Sequence, residues 1–231
     1  MGSVPEPRSE RSVGDPMRRR TGLVWRAERQ LRHLWQRALD VWFDVRGRTE
    51  TAHRVTLAEL GYGPDTGVDY QPSSWLALRR TLRPGDVGPH DVFIDYGSGK
   101  GRVLLMAAEY PFKRVIGVEI SHELNQIARE NVEKHRQRLT CKNIELLTCD
   151  GAEYQLPDDV TIAYFYNPFH RNTFTAVLDR ICDSLERQPR YFRIIYYSPV
   201  LHDCVVERGF RVIKTGRKLV MYGNVSEEHA R

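Results

Sequence analysis

The chain has 231 residues, room for one α/β domain with a buried core but not for two, and no apolar run approaches the ~20 residues of a membrane span. Its four cysteines, Cys141, Cys149, Cys182 and Cys204, form no C-x-x-C pair, which argues against a zinc site and a disulfide framework and makes the cytoplasm the expected compartment. The formal net charge of +5 is concentrated at the start: residues 1–50 hold 11 Arg against 7 acidic residues, leaving +1 for residues 51–231, so the basic balance does not point to nucleic acid.

Residues 1–21, rich in Pro, Ser, Gly and Arg, cannot bury enough apolar surface to order themselves and read as a disordered basic tail. The N-terminus lacks the apolar centre of a signal peptide, and Glu6 stands where a myristoylation signal wants Ser or Thr. Residues 22–69 read as a helical N-terminal extension or lid, with Leu31, Leu34, Trp35, Ala38, Trp42 and Val45 at helical spacing and Arg26, Arg29, Arg32 and Arg37 around them. Such a helix packs on its own domain, lies on a membrane surface or binds a partner. The preference for Arg over Lys suggests a high-GC bacterial genome.

A domain at 70–231 follows. Trp75, Leu76, Leu78 and Leu82 read as a helix. The apolar run Val92, Phe93, Ile94 reads as a strand that leads into Asp95, Tyr96, Gly97, Ser98, Gly99, Lys100, Gly101, and Val103 to Ala108 then read as a helix. A strand, a glycine turn and a helix let a backbone approach a nucleotide-like ligand at a helix N-terminus. The third glycine comes one residue too early for the dinucleotide fingerprint, and Asp95 would repel a pyrophosphate but attract an amino group or a sulfonium. A second strand, Arg114 to Val118, ends in Glu119 and Ile120, where a carboxylate can accept both hydroxyls of a ribose. Ser121 caps the next helix, with Leu124, Ile127, Ala128 and Val132 on its apolar face. A third strand, Ile144 to Thr148, ends in Cys149, Asp150, Gly151. A fourth, Val160 to Tyr166, runs into Asn167, Pro168, Phe169, His170. Phe174, Val177, Leu178 and Ile181 mark a helix, Phe192 to Tyr197 a fifth strand, and Phe210 to Thr215 with Leu219 to Tyr222 a terminal hairpin.

The run 95–101 resembles the first motif of class I S-adenosylmethionine-dependent methyltransferases, and the resemblance extends over residues 70–223. It implies an α/β fold, a seven-stranded, mostly parallel, doubly wound sheet closed by a C-terminal antiparallel hairpin. It implies S-adenosyl-L-methionine as cofactor and no metal. By the same resemblance Asp95, Gly97, Ser98, Gly99 and Gly101 cradle the cofactor, Glu119 and Ile120 hold the ribose end, Asp150 and Gly151 bond the adenine, and Tyr70 lines the methionine end. A Cβ on Gly99 is expected to occupy the cofactor's place.

Asn167, Pro168, Phe169 and His170 are similar to the Asp/Asn-Pro-Pro-aromatic motif of methyltransferases acting on planar amino groups, and more loosely to the aromatic motif of the non-SET histone lysine methyltransferases. Phe169 replaces the second proline of that pattern. These four are the expected catalytic set: Asn167 and the prolyl turn accept from the amine, Phe169 stacks on a flat substrate, and His170 is the candidate base if the acceptor must lose a proton. Tyr166, Tyr197 and His202 are further base candidates. The acceptor is a small molecule or a peptide or protein side chain, with nitrogen favoured over oxygen. An O-methyltransferase of natural products and a non-catalytic module that only holds the cofactor are the alternatives. Oligomeric state is not legible.

Overall fold

The computed structural model describes residues 34, 35, 38, 41–56, 58–61, 63, 70–167, 169–216 and 218–224. The expected tail 1–21, Leu31, the arginines at 26, 29, 32 and 37, and Pro168 lie outside them. The chain divides into two compact units, residues 1–39 and 40–231. Of the first, Leu34, Trp35 and Ala38 are described, helical and exposed. Residues 40–61, expected as part of the extension, fall in the unit that carries the sheet.

In that second unit a helical segment at 41–47 (α1) turns Phe43 and Asp44 inward, where Phe43 stacks on Trp75 at 5.5 Å between ring centroids, and leaves Val41, Trp42 and Val45 exposed. The helix expected around Trp75 to Leu82 is the short α2, Ala77–Thr81. There follow β1 (Val92–Tyr96), α3 (Arg102–Ala108), β2 (Arg114–Glu119), α4 (His122–His135), β3 (Ile144–Thr148), β4 (Ile162–Phe165), α5 (Arg171–Arg187), β5 (Arg193–Tyr197), α6 (His202–Val206), β6 (Arg211–Thr215) and β7 (Leu219–Gly223). The Ser121 hydroxyl accepts the Leu124 N–H at 3.2 Å and starts α4, as its position before the apolar run predicts. α6 is too short to show a period in the sequence and was not expected. β4 is shorter than the run Val160–Tyr166 because Tyr166 and Asn167 already turn away, Asn167 with φ 43°.

The sheet order is β3-β2-β1-β4-β5-β7-β6. β1 pairs in parallel with β2 and β4, and β4 with β5, whereas β7 runs antiparallel to both β5 and β6. Alternation along each strand separates two cores. Phe93, Val115, Ile162 and Ile195 face α2, α3 and α4, while Ile94, Ile116, Ala163 and Ile194 face α5 and α6. Asp95 shares its face with Phe93 and stands in register with Tyr164 of β4. The strand order reverses at β1 and β4, so the crevice beyond their C-terminal ends is where an open parallel sheet receives its ligand.

Candidate active site

The turn between β1 and α3 is shaped by three glycines with positive φ, Gly97 (74°), Gly99 (52°) and Gly101 (81°). It folds back on β2: the Gly97 and Ser98 N–H groups donate to the Val118 carbonyl at 2.8 and 3.1 Å, and the Gly99 N–H donates to Glu119 Oε2 at 2.8 Å. A Cβ on Gly101 would stand 3.0 Å from Ala128 Cβ, so this glycine serves the packing of α3 on α4. A Cβ on Gly99 would stand 2.3 Å from two ring carbons of Tyr70. Its missing side chain therefore makes room for Tyr70, a correction to the expectation that it makes room for the cofactor.

Beside this turn opens a cleft of about 840 Å³ whose walls include Tyr70, Asp95, Gly97, Ser98, Glu119 and Ile120. Asp95 is 3% exposed and its carboxylate makes no hydrogen bond among the described residues. Burial, and then the charge of Glu119, push its carboxyl well above the ordinary carboxylate range. Burial also pushes Glu119 up, against the opposing N–H groups of Ser121, Gly99 and Ile120. Glu119 Oε1 accepts the Ser121 N–H at 3.0 Å; a carboxylate has about four acceptor positions and three N–H groups already address this one, so about one remains for a hydroxyl. Two buried carboxylates in one cleft favour a cationic ligand. Asp150 Oδ1 accepts the Ala152 N–H at 2.8 Å and closes its own turn, while Asp150 and Gly151 both line the cleft.

At the other end of the cleft stand Tyr164, Tyr166, Asn167 and Phe169. The Asn167 Oδ1 is buried and has no hydrogen-bond partner among the described residues. Phe169 lies against Gly151, its Cζ 2.6 Å from where a Cβ would be, and meets Tyr96 edge-on at 6.3 Å. It thus packs on the core under the loop at Asp150 and Gly151 as well as lining the cleft, which limits the surface it can offer a flat substrate. His170 is exposed at the start of α5 and is not part of the cleft wall. His202 shares a hydrogen bond of 2.7 Å with the Tyr222 hydroxyl through Nδ1, and Tyr166 meets Tyr197 edge-on at 4.7 Å. Among the described residues no group of three or more His, Cys, Asp or Glu could hold a metal ion.

The model of a methyltransferase-domain family matches residues 93–188. A protein-lysine N-methyltransferase of Saccharolobus islandicus (strain REY15A) is 36% identical over 69 residues, 29% of this chain and 43% of that relative. A histone-lysine N-methyltransferase, H3 lysine-79 specific, of Dictyostelium discoideum is 35% identical over 105 residues, 42% of this chain and 5% of that relative. The chain therefore spans less than half the length of either curated relative. The family match runs from β1 to the end of α5, across the glycine turn and both carboxylates. Residues 93–188 thus resemble a methyltransferase domain, and with the sheet order they support a class I S-adenosylmethionine-dependent reading. A solved structure, the precorrin 8w decarboxylase of Methanobacterium thermoautotrophicum, has the same fold, with a TM-score of 0.51 at 22% identity over 67% of this chain and 91% of its own.

S-adenosylmethionine is the cofactor that a methyltransferase domain of this fold implies, and the residues present fit it. Among the described residues no hydrogen bond reaches the Asp95 carboxylate and the buried Ser98 hydroxyl in the cleft wall has no partner, so both can bond a ligand there. Sequence reading missed a second set of residues in the methyltransferase cleft. The Tyr164 hydroxyl donates to Ser73 Oγ at 2.9 Å, and Arg102, 2% exposed, donates from Nη1 to the Ser73 carbonyl at 2.9 Å and from Nε to Thr51 Oγ1 at 2.8 Å. The one signal available was two cations, Lys100 and Arg102, flanking a glycine at the start of a buried helix.

Proposed function

We propose that this chain transfers a methyl group to an amine nitrogen, with a lysine side chain of a protein or peptide as the first acceptor to test. Asn167 carries this reading. It ends β4 in the left-handed region, a conformation that costs a non-glycine residue about 1–2 kcal/mol, and its buried carbonyl oxygen is left without a donor in the cleft wall. An amine N–H supplies that donor. The printed names of both curated relatives, lysine N-methyltransferases, support nitrogen over oxygen. The four cysteines are free, which supports a reducing, cytoplasmic setting.

When bound, the cofactor supplies an electrophilic methyl carbon on a sulfonium. The residues of this chain align and desolvate. Asp95 and Glu119 hold the positively charged and ribose ends, with Asp150 at the adenine. Asn167 Oδ1 accepts from the amine and turns its lone pair toward the methyl carbon. Tyr164 and Tyr166 keep water out. Alignment of this kind can lower a barrier by roughly 7–11 kcal/mol. A lysine would enter as the ammonium and would shed one proton to solvent to free the lone pair that Asn167 orients, and the methyl group supplied by the bound cofactor would leave on that nitrogen as a methylated ammonium. Burial raises the pKa of the Tyr164 hydroxyl well above its ordinary value, so it does not act as a base at neutral pH. His170 is exposed at the start of α5 and outside the cleft wall, which favours a reading without it as base at the transfer point.

The test is turnover on lysine-containing peptides with two variants. Asn167→Ala is expected to lower kcat by about 100-fold, the scale of one lost preorganised contact, and to leave S-adenosylhomocysteine affinity within about twofold. His170→Ala is expected to keep wild-type turnover. A loss confined to His170→Ala would replace the amine reading with an oxygen acceptor that needs a base.

A further inference from the structure

Residues 44–56 are tied across the glycine turn by contacts between residues 19 to 81 apart in sequence. Thr51 is fully buried and uses every polar atom it has: its N–H donates to Asp44 Oδ2 at 2.8 Å, its hydroxyl donates to Asp44 Oδ1 at 2.6 Å and accepts Arg102 Nε at 2.8 Å, and its carbonyl accepts the Tyr70 hydroxyl at 2.9 Å. Tyr70 is joined to Val55 by a backbone bridge, its N–H donating to the Val55 carbonyl at 3.0 Å. A second tie lies one residue earlier. Glu50 Oε1 pairs with Lys100 Nζ at 3.0 Å, the Glu50 N–H donates to Asn131 Oδ1 at 3.1 Å, and Asn131 Nδ2 donates to the Lys100 carbonyl at 3.0 Å.

The effect is to hold the Tyr70 ring on the Gly99 backbone, in the cleft wall that also contains Asp95 and Glu119. The two ties differ in strength. The Asp44–Thr51–Arg102 set is buried, with Arg102 2% and Thr51 0% exposed. In the other, the Lys100 side chain is 1% exposed but that of Glu50 is 66% exposed, so water already solvates one partner and this tie opens first.

We propose that Glu50, Thr51 and Asp44 are positioning residues that set how fast cofactor enters and product leaves: residues 44–56 and Tyr70 form a strap that must lift from Gly99 for exchange, and the Glu50–Lys100 pair is its release. The inference rests on S-adenosylmethionine as the cofactor and is independent of the acceptor.

A strap and a binding contact give different kinetics. Lifting a strap changes the barrier between bound and free states, so association and dissociation rates move together. Losing a ligand contact raises dissociation alone. The experiment uses the full chain, first confirmed by calorimetry to bind S-adenosylhomocysteine, with both rate constants then read by stopped flow. Glu50→Gln, an exposed and nearly isosteric change, is expected to raise both rates about fivefold, the worth of one partly exposed ion pair, with Kd within twofold. About 0.5 M NaCl is expected to speed exchange in the wild type and to have little effect on Glu50→Gln. Thr51→Val is expected to raise both rates further. Unchanged rates in Glu50→Gln would overturn the proposal, as would a rise in dissociation matched by an equal rise in Kd. Failure of the wild type to bind S-adenosylhomocysteine would instead overturn the cofactor assignment beneath it.

Discussion

After β1, the backbone positions that need positive φ are filled by Gly97, Gly99 and Gly101; after β4 and β5 they are filled by Asn167 (φ 43°) and Ser198 (φ 51°). The first group adopts that conformation without strain and lets Tyr70 and Ala128 approach the backbone. The second retains side chains at a cost of about 1–2 kcal/mol each. Ser198 is held in place by its N–H donating to the Lys218 carbonyl at 2.5 Å. Strain of this kind persists where the surrounding structure over-determines it, and it clusters at functional sites. The cleft wall after β1 is thus defined by backbone shape and buried charge, whereas after β4 it keeps a side chain, that of Asn167, on a turn of positive φ.

The sharpest way to break this contrast is Gly99→Val, whose Cβ meets the Tyr70 ring at 2.3 Å in a backbone conformation that a β-branched residue avoids. Calorimetry with S-adenosylhomocysteine is expected to show no measurable binding, and residual binding near wild-type strength would mean that Tyr70 yields freely. Glu119→Ala is the next largest. It removes a ribose acceptor and also the partner of the Gly99 and Ser121 N–H groups, and charge-assisted bonds are worth about 1.5–3 kcal/mol each. Cofactor affinity is expected to fall at least tenfold, with a lower Tm as well; a normal Tm would show that the turn holds without the carboxylate.

Asp95→Asn should separate stability from function. Because folding raises the Asp95 and Glu119 carboxyls above their ordinary values of 3.8 and 4.5, their stabilising contribution is present at acid pH and is lost as pH rises through the raised values. In the unliganded protein the Asp95 carboxyl is buried with no hydrogen bond among the described residues, which disfavours its ionised form. Removing that carboxyl is expected to raise the Tm of the free protein by a few degrees, about 1 kcal/mol, while weakening cofactor affinity. A lower Tm in the free protein would contradict the burial argument.

The smallest effect is in the wild type itself. A cationic ligand favours the ionised carboxylates, so its affinity is expected to fall as pH drops through the raised range, with proton release on binding there. Calorimetry in buffers of different ionisation enthalpy reads that release. A pH-independent affinity between pH 5 and about 8 would show that neither carboxylate titrates with binding.

Much of the cleft wall at the glycine turn is legible in the chain because its information is local. Strand, turn and helix lie within residues 92–108, and Glu119 stands only 20 residues beyond Gly99, so spacing and residue type suffice to place the motif. The alternation of apolar residues likewise assigns each strand to its two cores. The strap is different. Glu50 meets Lys100 across 50 residues, Thr51 meets Arg102 across 51 and Ser73 meets Tyr164 across 91, and such polar pairs carry no period that a sequence displays. The same holds for which way a residue faces. Gly99 opening toward Tyr70, Phe169 packed on Gly151 and His170 left in solvent were decided when the sheet closed, because a loop side chain takes its direction from whichever distant elements fill the space around it.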